Sequence, residues 1–309
     1  MQKVQVLMAT YNGEKYINEQ LNSIINQSYN NWELLIRDDG STDKTLKILA
    51  DYVEKYPATI KLLDNYVNRM GACGNFAELI NNSNADYVMF SDQDDVWLPN
   101  KIEGTLKVMK TIEVEKGVET PILIHTDLCV VDDELNVISS SMWKLQNMNP
   151  HVKNLNRLMV HNNVSGCTMI INRALANMAK NIPEGATMYD WWIALIAASF
   201  GEIEFIKEGT ILYRQHSKNK FGARKFNLEF IFKKFSNYIG VKRSIQKTQQ
   251  QAKIFLQIFS SRLDKHQKAL LNQYSDINSL NFLRRRLFLF KNSIYKCGFI
   301  RNVGLFVYI

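Results

Sequence analysis

Two hydrophobic periods alternate along residues 3–126, and that alternation narrows the possible folds more than any other feature of the chain. Five short runs read as strands: VQVLMA (4–9), WELLIRD (32–38), TIKLLD (59–64), DYVMFSD (86–92) and PILIHTD (121–127). The stretches between them, at about 14–27, 43–56, 75–83 and 98–112, read as helices. In the first, Tyr16, Ile17, Leu21, Ile24 and Ile25 keep one apolar face. Thr42 or Asp43 can cap the second, and Gly71 and Gly74 break the chain before the third. Strands separated by helices of this length predict βαβ units and an α/β fold with a mostly parallel sheet. Ligands of such sheets sit beyond the carboxyl ends of the strands. TYNG (10–13), RDDGSTD (37–43) and SDQDD (91–95) all fall there.

After residue 127 the pattern changes. GCTMIIN (166–172), EFI (204–206) and TILYR (210–214) are short strand candidates around a helix near 188–200. From about 225 onward the chain reads as helical and basic. Leu283, Leu287, Phe290 and Ile294 form one apolar stripe, with Arg284, Arg285, Arg286, Lys291 and Lys296 around it. The net charge of +8 hides an asymmetry. From Arg214 on there are 20 Lys+Arg against 3 Asp+Glu, while residues 1–213 carry 18 against 27. The expected division is residues 1–220 as one α/β domain and 221–309 as a basic amphipathic helical region. Four scattered cysteines (Cys73, Cys129, Cys167 and Cys297) show no paired ligand spacing, which argues against a zinc site or a disulfide scaffold and fits a reducing cytosol. The start of the chain lacks signal-peptide architecture, and no apolar run reaches about 18 residues.

SDQDD is the strongest chemical signal. Like charges this close repel and raise one another's pKa, so something must compensate them. Asp92 and Asp94, two apart after a strand, can present carboxylates to a hard divalent cation such as Mg²⁺ or Mn²⁺. An acidic turn capping the helix that begins near Pro99 is the competing reading. One Asp satisfies that reading; three strain it. TYNG and RDDGSTD are individually ordinary turn formers. A Tyr in the first can nonetheless stack on a base, and a carboxylate in the second can accept a pyrimidine N–H.

In this order, TYNG, DDGSTD and then an acidic SDQDD followed by VW resemble the family 2 glycosyltransferases with the GT-A fold. The resemblance covers residues 4–126 and continues through 161–216. Within that family SDQDDVWLPNKI, VSGCTMIINRAL, YDWW and LYRQH look most like bacterial rhamnosyltransferases. The resemblance implies a Rossmann-like sheet flanked by helices and an inverting transfer from a nucleotide-diphosphate sugar, dTDP-L-rhamnose being favoured. The acceptor it implies is a lipid-linked or polysaccharide saccharide of cell-wall, capsule or O-antigen synthesis. It places Thr10 and Tyr11 at the base, Asp39 or Asp38 at its N–H edge, and Arg69 near the base or phosphates. Asp92 and Asp94 become the DxD motif, with Asp94 the direct ligand of Mg²⁺ or Mn²⁺, and His216 either joins the metal or touches the diphosphate. Asp190 becomes the base, and Trp191 and Trp192 a wall for the acceptor sugar. Where many family members carry Glu-Asp, this chain has Tyr189-Asp190. The residues alone also allow Asp190 to be a helix cap and the tryptophans to be core, and His125 and Asp127 merely to finish a strand.

The basic C-terminal third has no recognised nucleic-acid motif, and its aromatic residues keep helical core spacing. A solvated helical face is the plain reading; its stripes and cations also fit helices lying on an anionic membrane surface, which would place the chain in the cytoplasm at the inner face of the plasma membrane. Two other functions compete. An aspartate-dependent phosphohydrolase also carries DxD after a strand, usually the first rather than about the fourth. A non-catalytic membrane adaptor needs neither Asp190 nor a divalent ion.

Overall fold

A computed structural model describes residues 2–64, 69–216 and 238–309. The expected boundary between 220 and 221 lies outside them. Nine strands form one mixed sheet among the described residues, in the order β3-β2-β1-β4-β8-β6-β9-β5, with β7 on the edge of β6. The strands are β1 Val4–Thr10, β2 Trp32–Asp38, β3 Ile60–Leu62, β4 Tyr87–Ser91, β5 Val96–Trp97, β6 Ile122–Val131, β7 Val137–Ser139, β8 Ile170–Asn172 and β9 Glu202–Arg214. The β1–β2, β1–β4, β2–β3 and β6–β9 pairings are parallel, and the others are antiparallel.

The first half follows the expected βαβ pattern through α1 Ile17–Ile25, α2 Thr45–Lys55, α3 Gly71–Asn81 and α4 Lys101–Lys116. Side chains of alternating strand positions face opposite layers. Val4, Val6 and Met8 of β1 pack with Ile17, Leu21 and Ile24 of α1 and with Ile102, Leu106 and Met109 of α4. Leu7 faces the other way, into a layer with Phe76, Leu79 and Ile80 of α3. The chain leaves β1 toward β2 and β3, then returns to place β4 on the opposite side. That switch opens a crevice at the carboxyl ends of β1 and β4.

Past β6 come α5 Met142–Gln146, α6 Leu155–Leu158, α7 Arg173–Met178 and α8 Tyr189–Phe200. EFI and TILYR belong to one strand, β9. Thr126 pairs with Ile206 but Asp127 with Gly209, so Lys207 and Glu208 bulge out of the ladder, and the sequence reads that bulge as a gap. GCTMIIN is likewise divided, into a 3₁₀ turn at 166–168 and β8. The basic third forms α9 Tyr238–Phe259, α10 Lys265–Ser275, α11 Phe282–Lys291 and α12 Phe299–Tyr308. Phe255 of α9 meets Trp192 of α8 at 5.3 Å between ring centroids, so the apolar core runs without a break from the sheet layer into these helices. No helix of the described residues is long and apolar enough to cross a membrane.

His125 on β6 is 1% exposed, and both ring nitrogens lack a hydrogen-bond partner. It packs against Trp143 at 5.5 Å and Phe205 at 6.3 Å. Burial, helped by the Lys153 charge, pushes its pKa down to about 3. The unfolded chain takes up this proton near pH 6.5 and the folded chain does not, so stability contributed by neutral His125 is lost as pH falls from about 6.5 toward 3. Urea unfolding at pH 7 and pH 5 should show His125→Leu losing about 2 kcal/mol less than the parent between the two pH values. Equal losses in the two proteins would mean that His125 titrates normally.

Candidate active site

The turns after β1 and β2 are laced together. Thr10 donates its hydroxyl to Asp38 at 2.8 Å, and Asp38 also accepts the Gly40 N–H (3.0 Å), the Ser41 N–H (2.7 Å) and the Ser41 hydroxyl (2.6 Å). Asp38 is fully buried; its carboxylate folds the turn, in which Gly40 takes a φ of 87° that favours glycine. Asp39 accepts the Met70 and Gly71 N–H groups, both at 2.8 Å, one on each oxygen, at the start of α3. Arg37 stands 3.5 Å from Asp39. Arg69 is exposed, with its N–H 3.3 Å from the Asp39 carbonyl. Tyr11 is half exposed at the lip of the crevice.

Gln93 ties this lip to the acidic turn. Its side-chain oxygen accepts the Tyr11 N–H at 2.8 Å and its amide donates to the Tyr11 carbonyl at 2.9 Å, as a neighbouring strand would. A Cβ on Gly13 would come within 2.4 Å of the same carboxamide, so glycine is what lets the side chain pass.

The three carboxylates of the turn are compensated unequally. Asp95 is fully buried; it accepts the Arg214 N–H at 3.2 Å and meets the Cys167 thiol. Beneath it lies Lys101, also fully buried, with its amine 4.8 Å from the centre of the Trp97 ring. Burial brings the Lys101 pKa down to about 8, although Cys167 and Asp95 hold it up. Asp95 is pushed well above the carboxylate range by burial and by Asp94 and Asp92. Asp94 pairs with His216 Nε2 at 2.8 Å. The His216 ring stacks on Tyr16 (4.8 Å between centroids), and the Arg214 guanidinium lies 4.7 Å from the centre of the same ring. Arg214 in turn donates to the Asp94 carbonyl at 3.0 Å. Asp92 is partly exposed, and among the described residues its carboxylate forms no hydrogen bond or ion pair. Desolvation and the charges of Asp94 and Asp190 raise it to about 7.

Asp190 lies in the first turn of α8, close enough for its charge to act on Asp92. It accepts the Gly166 N–H at 3.1 Å and the Trp191 N–H at 2.6 Å. Desolvation raises its pKa to about 6 against the pull of those two N–H groups. Tyr189 is core: it packs on Phe76 at 4.0 Å and Phe90 at 5.3 Å, and its hydroxyl fills the space where a Cβ of residue 166 would stand, 2.0 Å away. Gly166 is therefore required there. Trp191 is partly exposed, with its indole N–H bound to the Leu158 carbonyl at 2.6 Å. Trp192 corrects an expectation. It is 1% exposed between Phe255 and Phe259, so it fills the core and offers no face to an acceptor sugar. Consecutive residues of a helix point about 100° apart, so the two indoles cannot share a wall.

These groups suit a hard divalent ion. Among the described residues the Asp92 carboxylate has no counter-charge, the charges of Asp94 and Asp190 act on it, and oxygen donors dominate. Ligand atoms of Asp92, Asp95 and Cys167 also lie within 4.8 Å of one another. That deeper set contains a buried thiol held well above its usual pKa by burial and by Asp95, which suits Mg²⁺ or Mn²⁺ poorly. The ligand atoms of Asp92, Asp94 and His216 do not all come within that distance, although Asp94 and His216 meet at 2.8 Å and offer the harder donors. Sequence reasoning missed Tyr16, Gln93, Lys101, Gly166 and Arg214, which position the charged groups. Gln93 and Lys101 sat inside SDQDDVWLPNKI, Gly166 inside VSGCTMIINRAL and Arg214 inside LYRQH; Tyr16 sat in none of the recognised motifs.

Residues 5–176 match the family described as Glycosyl transferase family 2. A relative from Shigella flexneri, named dTDP-rhamnosyl transferase RfbG, is 32% identical over 235 residues, covering 70% of this chain and 74% of its own length. A second, from Escherichia coli, is named UDP-Glc:alpha-D-GlcNAc-diphosphoundecaprenol beta-1,3-glucosyltransferase WfgD. It is 27% identical over 174 residues, 56% of this chain and 62% of its own. In fold the chain is similar to the mannosyltransferase PcManGT of Pyrobaculum calidifontis, solved with GDP-Man and Mn²⁺. The TM-score is 0.52 at 16% identity, covering 98% of this chain and 78% of the other.

Proposed function

The chain belongs to the family 2 glycosyltransferases and has their GT-A fold, and on that premise we propose that it moves L-rhamnose from dTDP-L-rhamnose to a lipid-linked or polysaccharide saccharide. The observation that carries the reading is the meeting of three unlike elements at one crevice. These are the base-side lip at Tyr11 and Asp39, the acidic turn at Asp92 and Asp94, and a carboxylate of raised pKa, Asp190, within electrostatic reach of Asp92. Rhamnose and dTDP are supported by the name of the Shigella relative, and a lipid-diphosphate acceptor by that of the E. coli one.

In this reading Tyr11 stacks on the base, Asp39 offers its remaining lone pairs to the base N–H, and Asp38 and Thr10 hold the turn that presents them. Arg69 lies beside the phosphates. Asp94 and His216, with Asp92, would hold Mg²⁺ or Mn²⁺, which would supply positive charge to offset that developing on the leaving diphosphate. Asp190 takes the proton of the acceptor hydroxyl as that oxygen bonds to the anomeric carbon and the bond to the diphosphate oxygen breaks on the opposite face, which inverts the centre. Trp191 borders the acceptor. Residues 1–220 form the catalytic domain and 221–309 the region that brings it to the cytoplasmic face of an anionic membrane, where a lipid-linked acceptor resides.

Isothermal titration with dTDP, UDP and GDP, each with and without Mn²⁺, tests the reading. dTDP is expected to bind most tightly, and on the order of 100-fold more weakly without the ion. Absence of nucleotide binding under every condition overturns the transferase reading, and tighter binding of UDP or GDP overturns the choice of donor.

A further inference from the structure

One face of α11 is apolar and open to solvent. Leu283, Leu287 and Phe290 are 70%, 55% and 69% exposed, while Phe288 and Leu289 on the other side pack inward. At 100° per residue the three exposed side chains fall within one narrow arc, with Arg284 and Lys291 at its edge. Phe282 continues the face at 66% exposed, and Phe299 and Val307 of α12 add further uncovered apolar surface. Single exposed apolar residues are ordinary, but a contiguous row marks an interaction surface.

Roughly a third of the way round α11 from this row, between α9, α11 and α12, lies a hollow of about 550 Å³. Ile245, Phe282 and Val307 give it apolar walls, Lys242, Arg285 and Arg286 give it charge, and among the described residues no Asp or Glu side chain lines it. Both guanidinium groups are fixed in place by neutral oxygens. Arg285 donates to the carbonyls of Leu280 and Asn278, both at 2.7 Å, and Arg286 to those of Phe282 (3.0 Å) and Val307 (3.2 Å). Among the described residues neither guanidinium pairs with an Asp or Glu side chain, at a rim shared with Phe282. A second hollow of about 490 Å³ adjoins the first through Gln246 and Gln249 and is lined by Arg243, Lys247 and Lys253.

Charge and apolarity together select the occupant. Residues 238–309 carry 13 Lys+Arg against 2 Asp+Glu, so the same face of a second copy is repelled. A nucleic acid gives no burial to a row of Leu and Phe. An anionic bilayer satisfies both features, with apolar side chains at the acyl boundary and cations at the phosphates. We propose that α11 and α12 dock on an anionic phospholipid surface, with Leu283, Leu287 and Phe290 entering the acyl boundary while Arg285 and Arg286 hold a lipid phosphate in the hollow they line. The proposal rests on the reading above that the enzyme works at a membrane, and it names the surface and the lipid chemistry.

The test is sedimentation of the full chain with phosphatidylcholine vesicles, with and without phosphatidylglycerol. The chain is expected to pellet only where phosphatidylglycerol is present, and added salt should release it. Leu283→Ser with Phe290→Ser, both at exposed positions, should weaken partitioning about tenfold, and Arg285→Gln with Arg286→Gln by a similar factor. Dichroism and dTDP titration of each variant should match the parent, which separates docking from folding. Failure of the parent to bind, equal binding to both vesicle types, or undiminished binding of folded variants overturns the proposal. So does a concentration-dependent dimer that the Leu283 and Phe290 changes dissolve, since a second copy then covers the face. Vesicle binding without any nucleotide binding leaves the docking surface standing and removes the transferase reading, so the two failures are distinguishable.

Discussion

Asp190→Asn should reduce turnover by about 10³-fold while leaving dTDP affinity within about twofold. The single amide oxygen keeps one of the two N–H groups that Asp190 accepts, from Gly166 or Trp191, and its NH2 faces the other at a modest cost in stability, but the amide takes no proton from an attacking hydroxyl. A purely structural Asp190 gives the opposite pattern: near-normal turnover in the folded fraction and about 1 kcal/mol of lost stability, as for other helix-start carboxylates. The pH profile sharpens the distinction. Desolvation holds Asp190 at about 6 in the free protein, and a base acts only when ionised. The parent's kcat/KM should therefore fall about tenfold per pH unit below roughly pH 6. The variant's residual rate should lack that limb. If the limb persists in Asp190→Asn, another carboxylate is the base.

Asp190 also shows how far the sequence could be read. The βαβ order, the strand ends and the carboxylates beyond them were legible because period-2 and period-3.6 patterns and turn residues are local signals. The role of residue 189 was not. A Glu-Asp pair is expected there, and Tyr189 looks like a departure from catalytic chemistry. The fold shows it to be a core residue, wedged between Phe76, Phe90 and the backbone of Gly166. Trp192 was misread for the same reason, since neighbours in sequence on a helix face different environments. Packing partners from α3, β4 and α9 decide both cases, and no window of sequence contains them. The bulge at Lys207 and Glu208 was hidden too, because its cause is the register of β6, some 80 residues upstream.

Asp94→Ala should abolish the Mn²⁺-dependent part of dTDP binding, a loss on the order of 100-fold, and leave metal-free binding unchanged. The asymmetry among the three aspartates explains why this position and not its neighbour should behave so. Asp95 is embedded, with Lys101 beneath it, Cys167 against it and the Arg214 N–H on one oxygen, so its removal disturbs β9 and folding. Among the described residues Asp94 has one side-chain partner, His216, which stacks on the Tyr16 ring. Truncation at 94 removes that contact and a charge that raises Asp92, two small and opposed effects on folding. The metal-free melting temperature should accordingly stay within about 2 °C of the parent. A stable protein that has lost its response to Mn²⁺ is the signature of carboxylates gathered to share a cation with a diphosphate. If Asp94→Ala keeps the Mn²⁺ response, the ion sits in the deeper set of Asp92, Asp95 and Cys167. If the parent itself shows none, the acidic turn is structural, and Asp92, raised to about 7, simply carries a proton.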